Sequence, residues 1–334
     1  MIKQFHTRPY RLPFQTPWIT HSSHRTEREG ILVELVDEQG NHAIGECAPL
    51  PEIGTETLQQ CQRALTPLCQ QSLNQPLEPL LEQLSPFRQE APAACCGVES
   101  ALIELLAQRQ RLTPSRWMNP LATQQVRVNQ IAPSLTSASL NPDAGSIIKI
   151  KVGIQPIERE LAQLKAFATR LPPGGEMRLD ANCGWSLEEA RQFLAETGTL
   201  PIESIEEPLR QPTVESLAQL QSTLPFPIAV DESLSILGLE ALLNNHTLRR
   251  LVLKPTRMGG PWTTFQTARQ LQRSGKEVVI TSALESSIGI LSAAHCAAAV
   301  DPEGQQAHGL TTASWLAEDL GVAAPIKNGI LTLP

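Results

Sequence analysis

The sequence predicts an α/β barrel that follows a smaller α+β unit. From about residue 125 onward, short apolar segments of strand length alternate with amphipathic segments of helix length. This alternation is typical of βα units that form a parallel sheet. Seven strand candidates in one series exceed what a small doubly wound sheet needs, so we expect the sheet to close into a barrel. The first ninety residues show a different pattern, which indicates a separate unit.

The barrel elements follow one another without long gaps. The strand candidates are the apolar runs Val126–Ile131, Ile147–Val152, Met177–Asp180, Ile202–Glu206, Ile228–Asp231, Leu251–Lys254 and Val278–Ser282. The helix candidates occupy residues 155–170, 187–197, 213–222, 238–245, 260–273 and 286–299. An eighth strand is expected near His308–Thr311, where the apolar pattern is short.

The N-terminal unit begins with a predicted hairpin. Its strands are Gly30–Asp37 and His42–Cys47, with a turn at 38–41. Polar helices are expected at 55–71 and 78–84. An Ala/Pro stretch at 91–94 and the apolar helical stripe that follows it favour a boundary that separates domain 1–92 from domain 93–312.

Composition excludes several classes of function. The 34 acidic residues outnumber the 27 basic ones, which gives a net charge of −7 and argues against a nucleic-acid partner. No apolar run is long enough for a membrane span, and the N-terminus lacks the apolar core of a signal peptide. The seven cysteines show no CxxC spacing, so we expect reduced thiols in a cytoplasmic protein.

Charged residues stand at the carboxyl ends of five successive strand candidates. They occur in the order Lys, Asp, Glu, Asp, Lys, at Lys149 with Lys151, Asp180, Glu206, Asp231 and Lys254. The active site of a parallel barrel forms where its strands end in this direction. One acid at a strand end is usually a helix cap or a solvated loop residue, but five such ends in series indicate a site.

The three acids predict a divalent metal ion. Carboxylates that converge on one point repel each other unless a cation lies between them. Oxygen ligands without His or Cys favour a hard ion, Mg²⁺ before Mn²⁺ or Ca²⁺. We therefore expect Asp180, Glu206 and Asp231 to bind Mg²⁺, with Mn²⁺ as a possible substitute.

The lysines predict proton transfer. Lys149 and Lys151 are two residues apart, so both point to the same face of a strand. A neighbouring ammonium and a metal ion lower the pKa of a lysine towards that of a working base. With Lys254 on the other side, the layout suits proton removal from the carbon α to a carboxylate, so the expected partner is a small-molecule carboxylate.

The motifs resemble those of the enolase superfamily, and within it the o-succinylbenzoate synthases of menaquinone and phylloquinone biosynthesis. The resemblance covers nearly the whole chain and rests on five motifs: Lys149-Ile150-Lys151, Asp180-Ala181-Asn182, Glu206-Glu207-Pro208, Asp231-Glu232-Ser233 and Lys254-Pro255. It implies a modified TIM barrel of the (β/α)₇β type with an N-terminal α+β capping domain. Residues 16–24 and 49–54 would cover the barrel mouth, and residues 313–334 would return to the capping domain.

The resemblance also implies roles for single residues. Lys151 would be the base, Lys149 would keep its pKa low, and Lys254 would stay cationic and stabilise the enediolate and the ring. Asn182 and Glu232 would support the metal ligands from behind. The residues expected to receive the substrate's succinyl tail are Thr281, Ser282, Ser286, Ser287 and Gly289. Ordinary capping of the next helix remains an alternative for the residues at its start.

Related reactions use the same lysines and acids. N-succinylamino acid racemases and dipeptide epimerases resemble this layout, and a muconate-lactonising activity is a more distant alternative. Dipeptide epimerases typically carry an Asp-x-Asp pair near the last strand, and residues 309–315 have none. A non-catalytic metal-binding barrel is disfavoured because all five charged strand ends are present. We therefore expect a synthase that dehydrates its substrate.

Overall fold

The computed structural model describes residues 1–19, 24–137 and 142–334. Its N-terminal part is an antiparallel sheet in the order β1-β2-β3, followed by two helices. The elements are β1 (Ile2–Ile19), β2 (His24–Asp37), β3 (His42–Cys47), α1 (Leu58–Ser72) and α2 (Leu77–Gln83). The predicted hairpin is formed by β2 and β3, whose register pairs Ile31 with Cys47.

The sequence pattern gave no sign of β1. This strand carries three prolines, and most of its side chains are exposed. Both properties argue against a central strand but are tolerated at a sheet edge. In the sheet, β1 pairs with β2 alone, so its outer edge needs no donor from those prolines.

A long buried helix, α3 (Pro92–Gln110), joins the two parts of the molecule. It contacts β3 on one side and helices of the barrel on the other. Glycines make the contact with β3 possible. A Cβ atom on Gly45 would lie 1.8 Å from the carbonyl oxygen of Gly97, and one on Gly97 would lie 2.3 Å from Cys47 Sγ. The backbones of the strand and the helix are therefore in direct contact.

The second part is a parallel sheet of seven strands in the order β11-β10-β9-β8-β7-β6-β5. After α4 (Pro114–Met118) and β4 (Gln125–Arg127), its strands are β5 (Gln130–Ala132), β6 (Ile147–Lys151), β7 (Glu176–Asp180), β8 (Ile202–Glu206), β9 (Ile228–Val230), β10 (Arg250–Leu253) and β11 (Glu277–Ile280). Each predicted strand has a counterpart, except that the run 126–131 is divided between β4 and β5.

Helices alternate with these strands, as predicted. They are α5 (Ile157–Ala168), α6 (Leu187–Ala195), α7 (Val214–Gln221), α8 (Leu234–Leu237), α9 (Leu239–Asn244), α10 (Pro255–Met258), α11 (Pro261–Arg273) and α12 (Ser287–Val300). Several begin with a side-chain cap, such as the capping box of Ser186 and Glu189 at α6.

The sheet closes through the segment expected to be an eighth strand. His308 forms a parallel bridge with Val128 at one edge, and Gly309 forms one with Thr281 at the other. Because these are single bridges, the eighth position is a short link between the edges. The fold is thus the capped (β/α)₇β barrel predicted from the resemblance.

The C-terminal residues contact both parts of the molecule. Leu316 forms a bridge with Phe14 of β1, and the nitrogen of Ala317 donates to the carbonyl oxygen of Pro13. The last strands, β12 (Ile326–Lys327) and β13 (Ile330–Thr332), instead form a small antiparallel sheet with β4. Both α3 and the C-terminal segment contact the N-terminal part and the barrel. The predicted domain limits therefore stay a prediction.

Within the described ranges, no helix combines the length and the apolar character that a membrane crossing requires.

The close approach of β3 to α3 yields a stability prediction. Gly45→Ala should cost about 2 kcal/mol through overpacking and lower the thermal midpoint by roughly 5 °C, because backbone rather than a flexible side chain blocks the new methyl group. Gly198→Ala is the matched control, since nothing lies within 4 Å of a Cβ there. Equal midpoints for the two variants, measured by circular dichroism, would show that α3 can move away from β3.

Candidate active site

The two lysines of β6 point into the barrel. Along this strand Ile148 and Ile150 are buried against the surrounding helices, whereas Lys149 and Lys151 are half-buried. This alternation is what a strand with one face on the barrel interior requires. The predicted common orientation of the two lysines is therefore observed.

Three strand ends beside them carry buried carboxylates: Asp180, Glu206 and Asp231 are at most 4% exposed. Lys149 Nζ lies 2.8 Å from Asp180 Oδ2 and 2.8 Å from Glu206 Oε2, so one ammonium bridges two acids. On the other side, Lys254 forms an ion pair with Asp231 and lies 3.8 Å from Glu232 Oε1. The charged strand ends are thus brought together in one mouth.

A second cation approaches Asp231 from outside the predicted set. Arg257 Nη1, on α10, lies 2.9 Å from Asp231 Oδ1. Sequence reasoning missed this residue because it stands three positions after the strand end Lys254, inside the following short helix. The only available signal was its place in the first turn after a charged strand end.

A metal ion has suitable oxygen ligands here. Among the described residues, Glu206, Asp231 and Glu232 each offer a carboxylate oxygen, and these atoms lie within 4.8 Å of one another. Glu232 Oε2 is buried and has no hydrogen-bond partner among them. This donor set fits a hard divalent cation. Glu232 was expected to support the metal ligands, but its carboxylate lies among the acids themselves. Asp180 is linked to this group through Lys149.

The pKa values follow from burial and from these neighbours. Burial and the charge of Asp231 raise the pKa of Glu232 to about 7. Burial also raises the pKa of Asp231, but Lys254 and Arg257 outweigh it and hold that pKa well below its usual range. Burial disfavours the ammonium of Lys149, but Asp180 and Glu206 raise its pKa above the ordinary value. Lys149 is therefore a fixed cation in this arrangement, not a base with a lowered pKa.

Tight turns follow β7 and β8. Asn182 and Cys183 have φ angles of 43° and 58°, and Glu207 has one of 45°, in the left-handed region that non-glycine residues seldom adopt. Such strain persists where the surroundings fix the backbone. The buried Glu207 carboxylate accepts hydrogen bonds from the nitrogens of Asp231 (2.6 Å) and Ser233 (2.9 Å), which holds the turn that presents Asp231.

Among the described residues, the side chain of Asn182 has no hydrogen bond to the predicted metal ligands. The residue is exposed, and its contribution is the main-chain nitrogen, which donates to Asp180 Oδ1 at 3.1 Å. The strand-end acids are thus supported by the backbone at Asn182 and by the side chain of Glu207, a residue of the motif Glu206-Glu207-Pro208 for which the sequence predicted no separate role.

Below the mouth, the barrel interior carries an ion-pair network. Arg178 and Arg250 both pair with Glu203, and Arg250 also reaches Glu277 at 2.8 Å. Burial raises the pKa of Glu203, but the two guanidinium groups lower it to about 2. Arg178 further donates to the carbonyl oxygen of Ala307 at 2.7 Å, beside the closing bridges. This floor fixes the strands that carry the acids above it.

The predicted tail-binding residues fall into two groups. Thr281 and Ser282 directly follow β11 and are buried. Ser282 Oγ lies 2.7 Å from Thr312 Oγ1, whereas Thr281 Oγ1 has no hydrogen-bond partner in the described part of the chain. A buried hydroxyl without a partner is costly unless a ligand or water satisfies it. Thr281 therefore offers a free polar contact.

The residues at the start of α12 already hold carboxylates of the chain itself. The nitrogens of Ser286 and Gly289 donate to Glu46 at 3.0 and 2.8 Å, and the nitrogen of Ser287 donates to Asp319 Oδ1 at 2.8 Å. The helix start is thus capped, which was the alternative for these residues. A substrate carboxylate would have to compete with Glu46 and Asp319 for the same donors.

The segments expected to cover the mouth differ in form. Residues 16–19 continue β1 and His24 begins β2, while residues 20–23, which include His21, lie outside the described residues. In the second segment, Leu50 is buried in a cluster with Leu284 and Leu316. Residues of the capping domain therefore contact the loop that follows β11.

Two family models cover most of the chain. Residues 142–334 match "Enolase C-terminal domain-like", and residues 2–105 match "MenC, N-terminal domain". Curated relatives include the o-succinylbenzoate synthase of Thermosynechococcus vestitus, 33% identical over 84% of each chain. That of Aliivibrio fischeri is 32% identical over 88% of this chain and 86% of its own.

Solved structures show the same fold across the full length. An L-Ala-D/L-Glu epimerase from Bacillus subtilis superposes with a TM-score of 0.87 at 21% identity, covering 100% of this chain and 96% of that one. A muconate lactonizing enzyme from Pseudomonas putida gives 0.82 at 20% identity, with 100% and 94% covered. At this identity the likeness shows the fold alone, and the fold defines the class: a barrel with a capping domain.

The family follows from the sequence matches over both parts of the molecule. The chain belongs to the o-succinylbenzoate synthases of the enolase superfamily.

The floor network yields a pH prediction. Glu203→Gln should cost about 3 kcal/mol at neutral pH, since it removes an acid whose folded pKa lies near 2 between two buried guanidinium groups. Because that pKa is depressed, the stabilisation is present above pH ~4.5 and is lost as the pH falls towards 2. The difference in thermal midpoint between wild type and variant should therefore shrink below pH ~4.5.

Glu196→Gln provides the control for this prediction. Glu196 is an exposed acid that pairs with Lys165, and its loss should change the midpoint by less than about 2 °C. A Glu203→Gln variant as stable as this control at pH 7 would contradict the assigned role of the network.

Proposed function

We propose that this chain is an o-succinylbenzoate synthase that removes water from 2-succinyl-6-hydroxy-2,4-cyclohexadiene-1-carboxylate to form 2-succinylbenzoate. The supporting observation is a barrel mouth in which Lys151 and Lys254 stand on opposite sides of a row of buried acids. The mouth lies in a chain that matches o-succinylbenzoate synthases over both of its domains.

The acids are proposed to hold Mg²⁺, the ion that enolase-superfamily members use, with Mn²⁺ as a possible substitute. Asp180, Glu206 and Asp231 would be its ligands, with Glu232 beside them. When bound, the ion supplies a Lewis acid that stabilises negative charge on the substrate carboxylate. The position of Lys149 between Asp180 and Glu206 supports this assignment, because a cation already bridges those acids.

Lys151 is proposed to move the proton. Among the described residues its side chain has no ion pair or hydrogen bond, so no neighbour competes for its amine. The neutral amine takes the proton from the carbon α to the carboxylate. The resulting ammonium then gives a proton to the departing hydroxyl, which leaves as water from the same face. The electron pair of the broken C–H bond forms the last double bond of the aromatic ring as the C–O bond breaks with its own pair on oxygen, so the reaction needs no external oxidant or reductant.

The other two lysines are proposed to act as cations. Lys149 is held by its two acids and keeps its positive charge beside them, two residues from Lys151. Lys254 is buried against Asp231 on the opposite side of the mouth. From there it can stabilise the enediolate and contact the face of the developing ring.

The substrate tail is proposed to lie towards the end of β11. The free hydroxyl of Thr281 and the nearby Ser282 offer polar contacts on the barrel side. The main-chain nitrogens of Ser286, Ser287 and Gly289 now donate to Glu46 or Asp319. These three residues remain proposed tail contacts only if the substrate carboxylate displaces those side chains. We therefore assign the first contact to Thr281.

The assay of function is direct. Purified protein with Mg²⁺ should convert the hydroxycyclohexadiene carboxylate to 2-succinylbenzoate. The conversion is measured as the loss of diene absorbance. The result that overturns the proposal is the absence of this conversion together with racemisation of N-succinyl amino acids or epimerisation of dipeptides, since Lys151 and Lys254 could then serve as bases on opposite faces.

The role of Lys151 has its own test. Lys151→Ala should lower kcat by about 10³-fold or more, because general base catalysis supplies that order of rate enhancement. Its Mg²⁺-dependent rise in thermal midpoint should match that of wild type, because among the described residues the Lys151 side chain forms no hydrogen bond or ion pair with the acids. Lys165→Ala, at an exposed lysine of α5, is the control and should retain full activity. Comparable activity in Lys151→Ala would refute the assignment.

A further inference from the structure

Arg28 of the capping domain is a buried guanidinium bound entirely by main-chain carbonyl groups. It is 1% exposed, and its three nitrogens donate five hydrogen bonds. The acceptors and distances are Leu284 (3.0 Å), Glu29 (2.9 Å), Pro49 (2.7 Å), Ala48 (2.6 Å) and Ala283 (3.2 Å). A buried charge of this kind is costly unless every donor is satisfied, and here the planar fork of arginine meets all five acceptors.

Four of these carbonyls belong to two separate loops, and the fifth, that of Glu29, lies in β2 itself. Ala48 and Pro49 follow β3 in the capping domain, whereas Ala283 and Leu284 follow β11 in the barrel. One side chain therefore ties the capping domain to the loop that begins directly after Thr281 and Ser282. The link lies at the barrel mouth, close in sequence to the proposed tail contact.

The barrel loop is held in a backbone conformation that it would not adopt freely. Leu284 has a φ angle of 65°, in the left-handed region that disfavours a leucine. Arg28 binds the carbonyl groups on both sides of this turn, at Ala283 and Leu284. The Leu284 side chain packs in the apolar cluster that contains Leu50 and Phe14 of the capping domain. Contacts from another domain thus maintain the turn.

A second tie holds the far end of the same loop. Glu46, two residues before Ala48, accepts from Tyr10 and from Ser286 Oγ (2.5 Å), as well as from the main chain at the start of α12. Gly289 leaves room for it, since a Cβ there would lie 2.9 Å from Glu46 Oε2. The loop between β11 and α12 is therefore anchored by Arg28 at its first half and by Glu46 at its second.

We propose that Arg28 is a positioning residue for the reaction. By fixing residues 283–284 against residues 48–49, it sets the direction in which Thr281 and Ser282 meet the tail of the substrate. The role is one of substrate binding, because Arg28 touches neither the strand-end acids nor the lysines. This inference rests on the proposed function only for the identity of the substrate, while the loop linkage stands on the contacts alone.

Arg28→Lys tests the proposal while keeping the positive charge. A lysine has one nitrogen with three donors in place of the guanidinium fork, so it cannot bind all five carbonyls. We expect KM for the hydroxycyclohexadiene carboxylate to rise about tenfold, with kcat changed less than about threefold. The Mg²⁺ concentration for half-maximal activity should stay unchanged.

Arg88→Lys is the matched control. Arg88 is also largely buried and donates to the carbonyl oxygen of Leu81 and to Glu99, away from the two loops at the mouth. This variant should lose stability without a rise in KM. An unchanged KM in Arg28→Lys, or an equal rise in Arg88→Lys, would overturn the positioning role.

Amide hydrogen exchange separates this inference from the proposed function. In Arg28→Lys, exchange should accelerate at least about tenfold in residues 48–54 and 283–289 and remain unchanged in β6–β8, with no such change in Arg88→Lys. This readout needs no substrate, so it tests the linkage even if wild type fails to dehydrate the proposed one. Unchanged exchange in both loops would refute the linkage.

Discussion

The arrangement of the barrel mouth depends on the repulsion between buried carboxylates. Asp180, Glu206 and Asp231 are almost completely buried, and at Glu206 burial and the charges of Asp180 and Asp231 outweigh Lys149 and raise the pKa of the carboxyl well above its ordinary range. The structure compensates with cations from the flanking strands: Lys149 between the first two acids, Lys254 on the third. A divalent ion bound among the acids would provide the same compensation. The lysines are therefore part of the electrostatic balance of the site as well as candidates for its chemistry.

Buried acids elsewhere in the chain meet the same requirement with other partners. Glu203 is balanced by two guanidinium groups on the barrel floor. Glu46 and Glu99 are placed at helix starts, where main-chain nitrogens of α12 and α11 donate to them. Helix N-termini favour negative charge, so these acids are satisfied without a metal ion. The acids at the mouth differ because they face each other across the end of a barrel.

The capping domain contributes to the site through backbone contacts. Its sheet approaches α3 closely at Gly45 and Gly97, and its loop after β3 is joined to the barrel loop after β11 by Arg28. The acids and lysines at the strand ends belong to the barrel alone. The capping domain and the barrel mouth are thus linked by an arginine that binds main-chain carbonyls, by the carboxylate of Glu46 at the start of α12 and by an apolar cluster.

The sequence by itself determined the order of strands and helices and the lysines and acids at the strand ends, because apolar periodicity and one charged residue per βα unit are local signals, and the capped form of the barrel was implied by the resemblance of its motifs to a known family. It could not reveal β1, whose prolines suit only an edge position that depends on pairing with β2. It also missed Arg28, Glu207 and Arg257, and it could not show that Glu46 and Asp319 occupy the start of α12. Only the tertiary structure decided these contacts, since each joins residues that are separated along the chain and brought together by closure of the barrel and docking of its cap.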